Sequence, residues 1–312
     1  MKFPLLSIIV FLTIVLAATH AILSPEMYWK SKLPNTLMPE PLKDLLHPTG
    51  FSTSMLVIVG LKGIDKLLIV YPRILYGNRI FQLLQRKTQL HYNNSNESLF
   101  FLEKDLKAGH KMNLLFVHTS NHASFLPRQV VKSIPFSSSK MTEILNKFAV
   151  KPGSVAAEFM EITMEVCEEP GMKGEEKYCA TSLESMVDFV TLKLGNSVNA
   201  LSTGTMNQTK ELEEYTIMHR VKKVAETQVV CHKLNYAYAV FYCHKIENTV
   251  AYAVPLEGAD GSRMEALSVC HRDTSHWDSN HLAFQLLKVK PGSVPVCHFL
   301  YQNTVMWVPK QN

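Results

Sequence analysis

Residues 229–244 read VVCHKLNYAYAVFYCH, and this stretch decides how the whole chain is interpreted. Two Cys-His dipeptides, Cys231-His232 and Cys243-His244, stand among β-branched and aromatic residues, a composition typical of β-strands. Successive side chains of a strand point to opposite faces of its sheet. Each dipeptide in a strand therefore offers a sulfur atom on one face and an imidazole ring on the other.

The same dipeptide recurs at Cys270-His271 and Cys297-His298, and the four copies are separated by 10, 25 and 25 residues. Several imidazoles that converge without thiolate ligands suit Cu(II), Zn(II) or Ni(II), and the affinity order favours copper. The alternative is a set of histidines that only hydrogen-bond within the core. The candidate metal ligands are His232, His244, His271 and His298.

The N-terminus determines how the six cysteines are read. Residues 1–21 combine Lys2, a short apolar stretch and small residues before Ala21, which predicts a secretory signal peptide. In an oxidising compartment cysteines form disulfides. Cys167 and Cys179 flank turn-forming residues and are expected to close a local loop, whereas the other four cysteines, Cys231, Cys243, Cys270 and Cys297, allow three connectivities. Glycosylation sequons at Asn93, Asn96 and Asn207 fit the same export route.

Composition excludes two classes of protein. Of the 312 residues, 46% are hydrophobic and 19% are charged, so the chain can bury a core and does not resemble a disordered polymer or a highly charged nucleic-acid binder. Charged residues interrupt the apolar run in residues 51–90, and we expect no membrane span once the signal peptide is removed.

Three regions follow the signal peptide. Residues 22–50 are rich in proline, which predicts an extended leader whose Tyr28-Trp29 pair docks on the main domain. Residues 51–97 form a variable spacer to which we assign no structure. Residues 98–309 have the periodic apolar pattern of a folded domain.

Within that domain, helices precede strands. Helix starts are expected at Ser139 and Ser154. The sequence Thr181-Ser182-Leu183-Glu184 resembles a capping box and predicts a third helix, which ends at Gly195. Strands are expected at 236–242, 249–254, 264–269, 296–300 and 305–308. The fold class is therefore α+β, with a helical first half packed on a mostly antiparallel, disulfide-linked sheet that carries the Cys-His dipeptides. The acidic residues in the segment 151–190 are interpreted as a solvated helix face.

With these spacings the chain resembles the BURP-domain family of secreted plant proteins, whose signature is four spaced Cys-His dipeptides near the C-terminus. The resemblance extends upstream to the sequences FFLEKDL (100–106), FLPR (125–128), IPFSS (134–138) and GEEKYCA (174–180). The leader is similar to the segment that follows the signal peptide in the dehydration-responsive and unknown-seed-protein branches.

The resemblance implies a secreted protein of the apoplast or the vacuole, related to stress or development, with disulfide-bonded cysteines and the four dipeptide histidines as copper ligands. A cell-wall polysaccharide or protein is the expected partner, and nucleic acid is not. Some family members are copper-dependent peptide cyclases that cross-link Tyr or Trp side chains of a core peptide. That activity is the alternative function here, acting on a separate peptide, because this chain shows no recognisable core peptide. No catalytic residue is assigned. The dipeptide His276-Trp277 follows Cys270 by six residues and places an aromatic side chain near the expected metal site, where it is expected to line any substrate groove.

Overall fold

A computed structural model describes residues 23–46, 98–116, 123–204 and 212–310. The predicted signal peptide, the spacer and the three sequons at Asn93, Asn96 and Asn207 lie outside the described residues.

Most of the described helices precede Gly195 and most of the strands follow it, as the sequence predicts, although three strands lie among the helices and one helix lies among the later strands. The α-helices are α1 (Pro25–Lys32), α2 (Glu40–Leu46), α3 (Arg128–Lys132), α4 (Met141–Lys147), α5 (Val155–Glu168), α6 (Leu183–Leu194) and α7 (Leu282–Leu287). The strands are β1 (Phe101–Leu102), β2 (Lys111–Leu114), β3 (Glu175–Ala180), β4 (Val198–Leu201), β5 (Glu213–Ile217), β6 (Lys222–Ala225), β7 (Val229–Leu234), β8 (Val240–Ile246), β9 (Thr249–Gly258), β10 (Arg263–His271), β11 (Val296–Phe299) and β12 (Thr304–Pro309).

The strands form two antiparallel sheets, which confirms the α+β class but replaces the single sheet with a pair. Sheet A has the order β1-β11-β10-β9-β5-β2, with β6 also paired to β9. Sheet B has the order β3-β8-β7-β12-β4. Consecutive strands β7 and β8 pair in sheet B, while β9 and β10 pair in sheet A. The chain therefore passes from one sheet to the other between Ile246 and Thr249.

The two sheets pack face to face over a shared apolar core. Small and branched residues from both sheets form this inner layer, namely Val230, Ala251, Ala253, Leu267, Val269, Leu300, Met306 and Val308. Intervening residues on the same strands face outward, as strand alternation requires. Cys231 joins a cluster with α6 and the leader, and Cys270 joins a cluster on the outer face of sheet A.

The leader is helical and forms part of the core of the domain. Pro25 occupies the first turn of α1, where a missing N–H costs nothing, and the Ser24 side chain accepts from the Met27 N–H. Proline therefore starts a helix where an extended segment was expected. Trp29 is 3% exposed and packs on Trp307, with ring centroids 5.2 Å apart.

Local predictions differ in their outcomes. Ser154 caps α5 by accepting from the Ala157 N–H. The capping box of α6 consists of Ser182 and Ser185 instead of the expected Thr181 and Glu184, and the helix ends at Gly195 as expected. By contrast, the prediction that Ser139 caps a helix is wrong. The residue before α4 is Lys140, whose side chain makes no capping hydrogen bond.

The strand predicted over 236–242 begins only at Val240. Its alternating tyrosines belong to the hairpin connection, because the N–H of Ala239 donates to the Ser124 carbonyl rather than to a neighbouring strand. None of the described helices has the length and hydropathy needed to cross a membrane.

Candidate metal centre

Disulfides fix the outer faces of the strands that carry the Cys-His dipeptides. Cys231 and Cys243 lie directly opposite each other on β7 and β8, and Cys270 and Cys297 do so on β10 and β11. Both pairs are disulfide-bonded, as is the pair Cys167–Cys179, which ties the end of α5 to β3. All six cysteines are therefore oxidised.

The four dipeptide histidines converge on one small cavity between the two sheets. Sheet B contributes His232 and His244, and sheet A contributes His271 and His298. The cavity has a volume of about 20 Å³, close to the minimum that holds one water molecule. Strand alternation thus separates the two chemistries of each dipeptide: sulfur lies in the outer cores and imidazole lies in the inter-sheet space.

Three of the four rings are held in one tautomer by the partners of their Nδ1 atoms. His298 Nδ1 lies 3.1 Å from the carbonyl oxygen of Phe299, and His244 Nδ1 lies 2.8 Å from Oε1 of Glu175. A carbonyl oxygen and an ionised carboxylate only accept, so both Nδ1 atoms donate. His271 Nδ1 lies 3.1 Å from Thr249 Oγ1, whose hydroxyl donates to the Glu247 carbonyl, so this Nδ1 also donates.

In these three rings, when neutral, Nε2 is the deprotonated nitrogen, which is the state that a metal requires. In the fourth ring, His232 Nε2 lies 3.3 Å from His244 Nε2. Because His244 Nε2 accepts, His232 Nε2 donates. Two nitrogens bound about 2.0–2.1 Å from one tetrahedral ion are about 3.3 Å apart. The pair therefore already has the spacing of two ligands.

Burial keeps three of the four rings neutral, those of His232, His271 and His298. Desolvation, followed by the charges of neighbouring imidazoles, lowers the pKa of His232 and of His271 well below the ordinary value. Desolvation also lowers the pKa of His298 to about 4, against the opposing hydrogen bond to Phe299. Neutral imidazoles are the form that binds transition metals. These three rings therefore meet the protonation requirement of a metal site at neutral pH.

A buried acceptor adds to the cavity wall. Gln228 is 3% exposed, and its Nε2 donates to the Thr249 carbonyl at 3.2 Å, while its Oε1 has no hydrogen-bond partner. An amide oxygen beside several imidazoles can ligate a metal weakly or accept from a bound water. Across the described residues, no three His, Cys, Asp or Glu side chains are already arranged as a metal-binding group. The donor set therefore fits a borderline cation in its chemistry, and the rings must adjust to close around it.

Sequence reasoning missed both Gln228 and Glu175. Glu175 was interpreted as part of a solvated acidic face, yet its side chain is 5% exposed, and Glu184 is 4% exposed in the same segment. Glu175 meets His244 only through the pairing of β3 with β8. Gln228 lies four residues before His232 and lines the same cavity as Val230 and His232, so alternation along β7 is the signal that could have found it. Trp277 does lie near the site, with its ring centroid 5.0 Å from that of His271, whereas His276 points to solvent as an exposed residue.

Comparison with known proteins places this chain in a family. The BURP domain family model matches residues 99–309. BURP domain protein RD22 of Arabidopsis thaliana is 50% identical over 234 residues, which are 73% of this chain and 59% of RD22. BURP domain-containing protein 5 of Oryza sativa subsp. japonica is 42% identical over 295 residues, 93% of this chain and 88% of that protein. Protein RAFTIN 1A of Triticum aestivum is 36% identical over 219 residues, 69% of this chain and 56% of RAFTIN 1A. The chain therefore belongs to the BURP-domain family of plant proteins.

Proposed function

We propose that this protein is a secreted, disulfide-stabilised BURP-domain protein of the cell wall or vacuole that binds one copper ion through His232, His244, His271 and His298. The observation that carries the proposal is the tautomer set: three of the four rings keep Nε2 deprotonated beside one cavity. A core histidine with only a structural role has no need for this common orientation. Four imidazoles without thiolate favour copper by the affinity order.

Export is supported by the oxidised cysteines. All six form disulfides, and disulfides persist in oxidising compartments. The predicted signal peptide and sequons point the same way. A role in stress or development, and a wall polysaccharide or protein as partner, rest on the family resemblance alone.

The alternative function, a copper-dependent peptide cyclase, is less favoured by the shape of the site. Copper would supply a one-electron couple for oxidising a Tyr or Trp side chain. The cavity, at about 20 Å³, has room for about one water molecule and not for an aromatic side chain. Trp277 covers the His271 ring on one side. A peptide substrate would therefore need a rearrangement at this edge of the site.

Copper titration of the purified, oxidised protein tests the proposal. We expect one equivalent of Cu(II) to bind the wild-type protein, and both His271→Ala and His298→Ala to weaken binding beyond the 10–100-fold loss typical of outer-shell changes. His276→Ala is the matched control, because His276 is exposed and does not line the cavity. Failure of the wild-type protein to bind, or equal loss in the control, would refute the site.

The same samples separate the two functions. Copper-loaded protein is incubated with Tyr- and Trp-containing peptides under oxygen, and the peptide masses are measured by mass spectrometry. A loss of two hydrogens from a peptide would support the cyclase, whereas unchanged peptides with stoichiometric copper support binding alone.

A further inference from the structure

Glu175 is a buried carboxylate one strand away from the histidine cluster. It begins β3, the edge strand of sheet B, and it pairs in register with Ile246 of β8. Its side chain is only 5% exposed. Burying a carboxylate is costly unless it is fully hydrogen-bonded, so the contacts of this residue indicate what it does.

Three donors converge on this carboxylate. Oε1 accepts from the Tyr242 hydroxyl at 2.6 Å and from His244 Nδ1 at 2.8 Å. Oε2 accepts from the Met172 N–H at 3.0 Å. The backbone bond anchors one oxygen, so the other has a fixed position from which to orient His244.

We propose that Glu175 is the positioning residue of the metal centre, holding His244 with Nδ1 as donor and Nε2 as the metal-binding nitrogen. Among the described residues it is the one carboxylate hydrogen-bonded to a dipeptide histidine. A carboxylate behind a metal-bound imidazole fixes the ring orientation and raises the basicity of the ligating nitrogen. Its negative charge also offsets part of the charge of a divalent cation in a buried site.

The inference extends to His232. Because Glu175 makes His244 Nε2 an acceptor, the 3.3 Å contact with His232 Nε2 is a hydrogen bond in the metal-free protein. His232 and His244 could hold a metal ion through their Nε2 atoms if the shared proton were absent. His232 would then carry its proton on Nδ1, where Thr304 Oγ1 at 3.4 Å can accept it. The metal-free hydrogen bond thus keeps the two rings together before an ion binds.

A glutamine at position 175 cannot reproduce this arrangement. Its amide has a single acceptor oxygen, and its NH₂ group would face the Met172 N–H, which also donates. Either Met172 or His244 therefore loses its acceptor. The neighbouring Glu176 is the matched control, since its side chain is 48% exposed and it pairs with Lys193 and Lys245 at the surface.

The inference rests on the proposed copper binding, and the experiment separates the two. Nitrogen-15 NMR of the oxidised, metal-free protein reports the tautomer of His244 without any metal. We expect wild-type and Glu176→Gln proteins to show Nδ1 protonated and Nε2 deprotonated, and Glu175→Gln to lose this fixed tautomer. A wild-type His244 protonated on Nε2 instead would overturn the inference even if no variant folds.

Copper titration forms the second part of the test. We expect Glu175→Gln to weaken Cu(II) binding about 10–100-fold and to change the nitrogen hyperfine pattern of the Cu(II) electron paramagnetic resonance spectrum. Glu176→Gln should stay within about twofold of wild type. Tyr242→Phe keeps the bond between Glu175 and His244 and should retain the His244 tautomer.

The outcomes distinguish two failures. If the wild-type protein binds no copper while the tautomer depends on Glu175, the proposed function fails and the positioning role stands for the metal-free site. If copper binds wild-type and Glu175→Gln proteins equally, the positioning role is overturned and the copper site stands.

Discussion

Trp29 anchors the leader to the BURP domain, and its removal should be costly. The side chain is 3% exposed, its ring packs on the fully buried Trp307, and its Nε1 donates to the Thr36 carbonyl at 2.9 Å. Truncating a buried Trp to Ala typically costs about 3–5 kcal/mol. For a domain of this size that corresponds to a fall in melting temperature of about 6–20 °C.

Equilibrium unfolding followed by circular dichroism measures this effect without relying on tryptophan fluorescence. Met27→Ala is the matched control, because Met27 lies on the same helix and is 56% exposed. Trp29→Phe keeps most of the apolar contact and loses the hydrogen bond to Thr36, so we expect it to fall between the two. If Trp29→Ala unfolds at the same denaturant concentration as Met27→Ala, the leader contributes nothing to the core and the reasoning is wrong.

Two further predictions concern cross-links and pH. Replacing Cys270 and Cys297 together by Ala opens a loop with a sequence separation of 27, and the chain-entropy model gives a loss of about 3.5 kcal/mol in unfolding free energy; a loss under about 1 kcal/mol in denaturant titration would contradict it. Burial lowers the pKa of His281 to about 4, and its Nδ1 accepts from the Ala283 N–H at the start of α7. The unfolded state therefore takes up the proton first, and stability falls as pH drops from about 6.5 towards 4, by about 3 kcal/mol from this group. His281→Asn keeps a capping acceptor without the titration, so its stability should change less with pH over this range, and equal pH slopes for the two proteins would count against the assignment.

The sequence predicts the four clustered histidines, but it does not predict all of the residues that surround them. Alternation along a strand is a local rule, so Cys231-His232 alone predicts sulfur and imidazole on opposite faces. The gaps between dipeptides do not specify which strands pair, so they leave three connectivities for the four dipeptide cysteines. The strand register selects Cys231–Cys243 and Cys270–Cys297. Glu175 reaches His244 only through the pairing of β3 with β8, a non-local contact that no spacing encodes.

Two local misreadings have physical causes. Proline was expected to keep the leader extended, but at the first turn of a helix it favours the helix, as Pro25 shows. Alternating aromatic residues predict a strand over 236–242. Tyr236 and Tyr238 are indeed buried, in a cluster with helical residues, but this burial does not require their backbone to pair with another strand. An alternating apolar pattern therefore predicts which side chains are buried, but it does not predict whether the backbone pairs with another strand.

The Cys-His geometry gives the centre an approximate two-fold symmetry. In each cross-linked strand pair the cysteines face each other in register, so the two histidines lie diagonally on either side of the disulfide: His232 pairs with Tyr242 and His244 with Val230, just as His271 pairs with Val296 and His298 with Val269. Each sheet thus presents one pair of histidines on two strands that are joined by a disulfide. The three disulfides join no residue of sheet A to sheet B, so an ion bound by both pairs would be the one cross-link that fastens the two halves of the sandwich together.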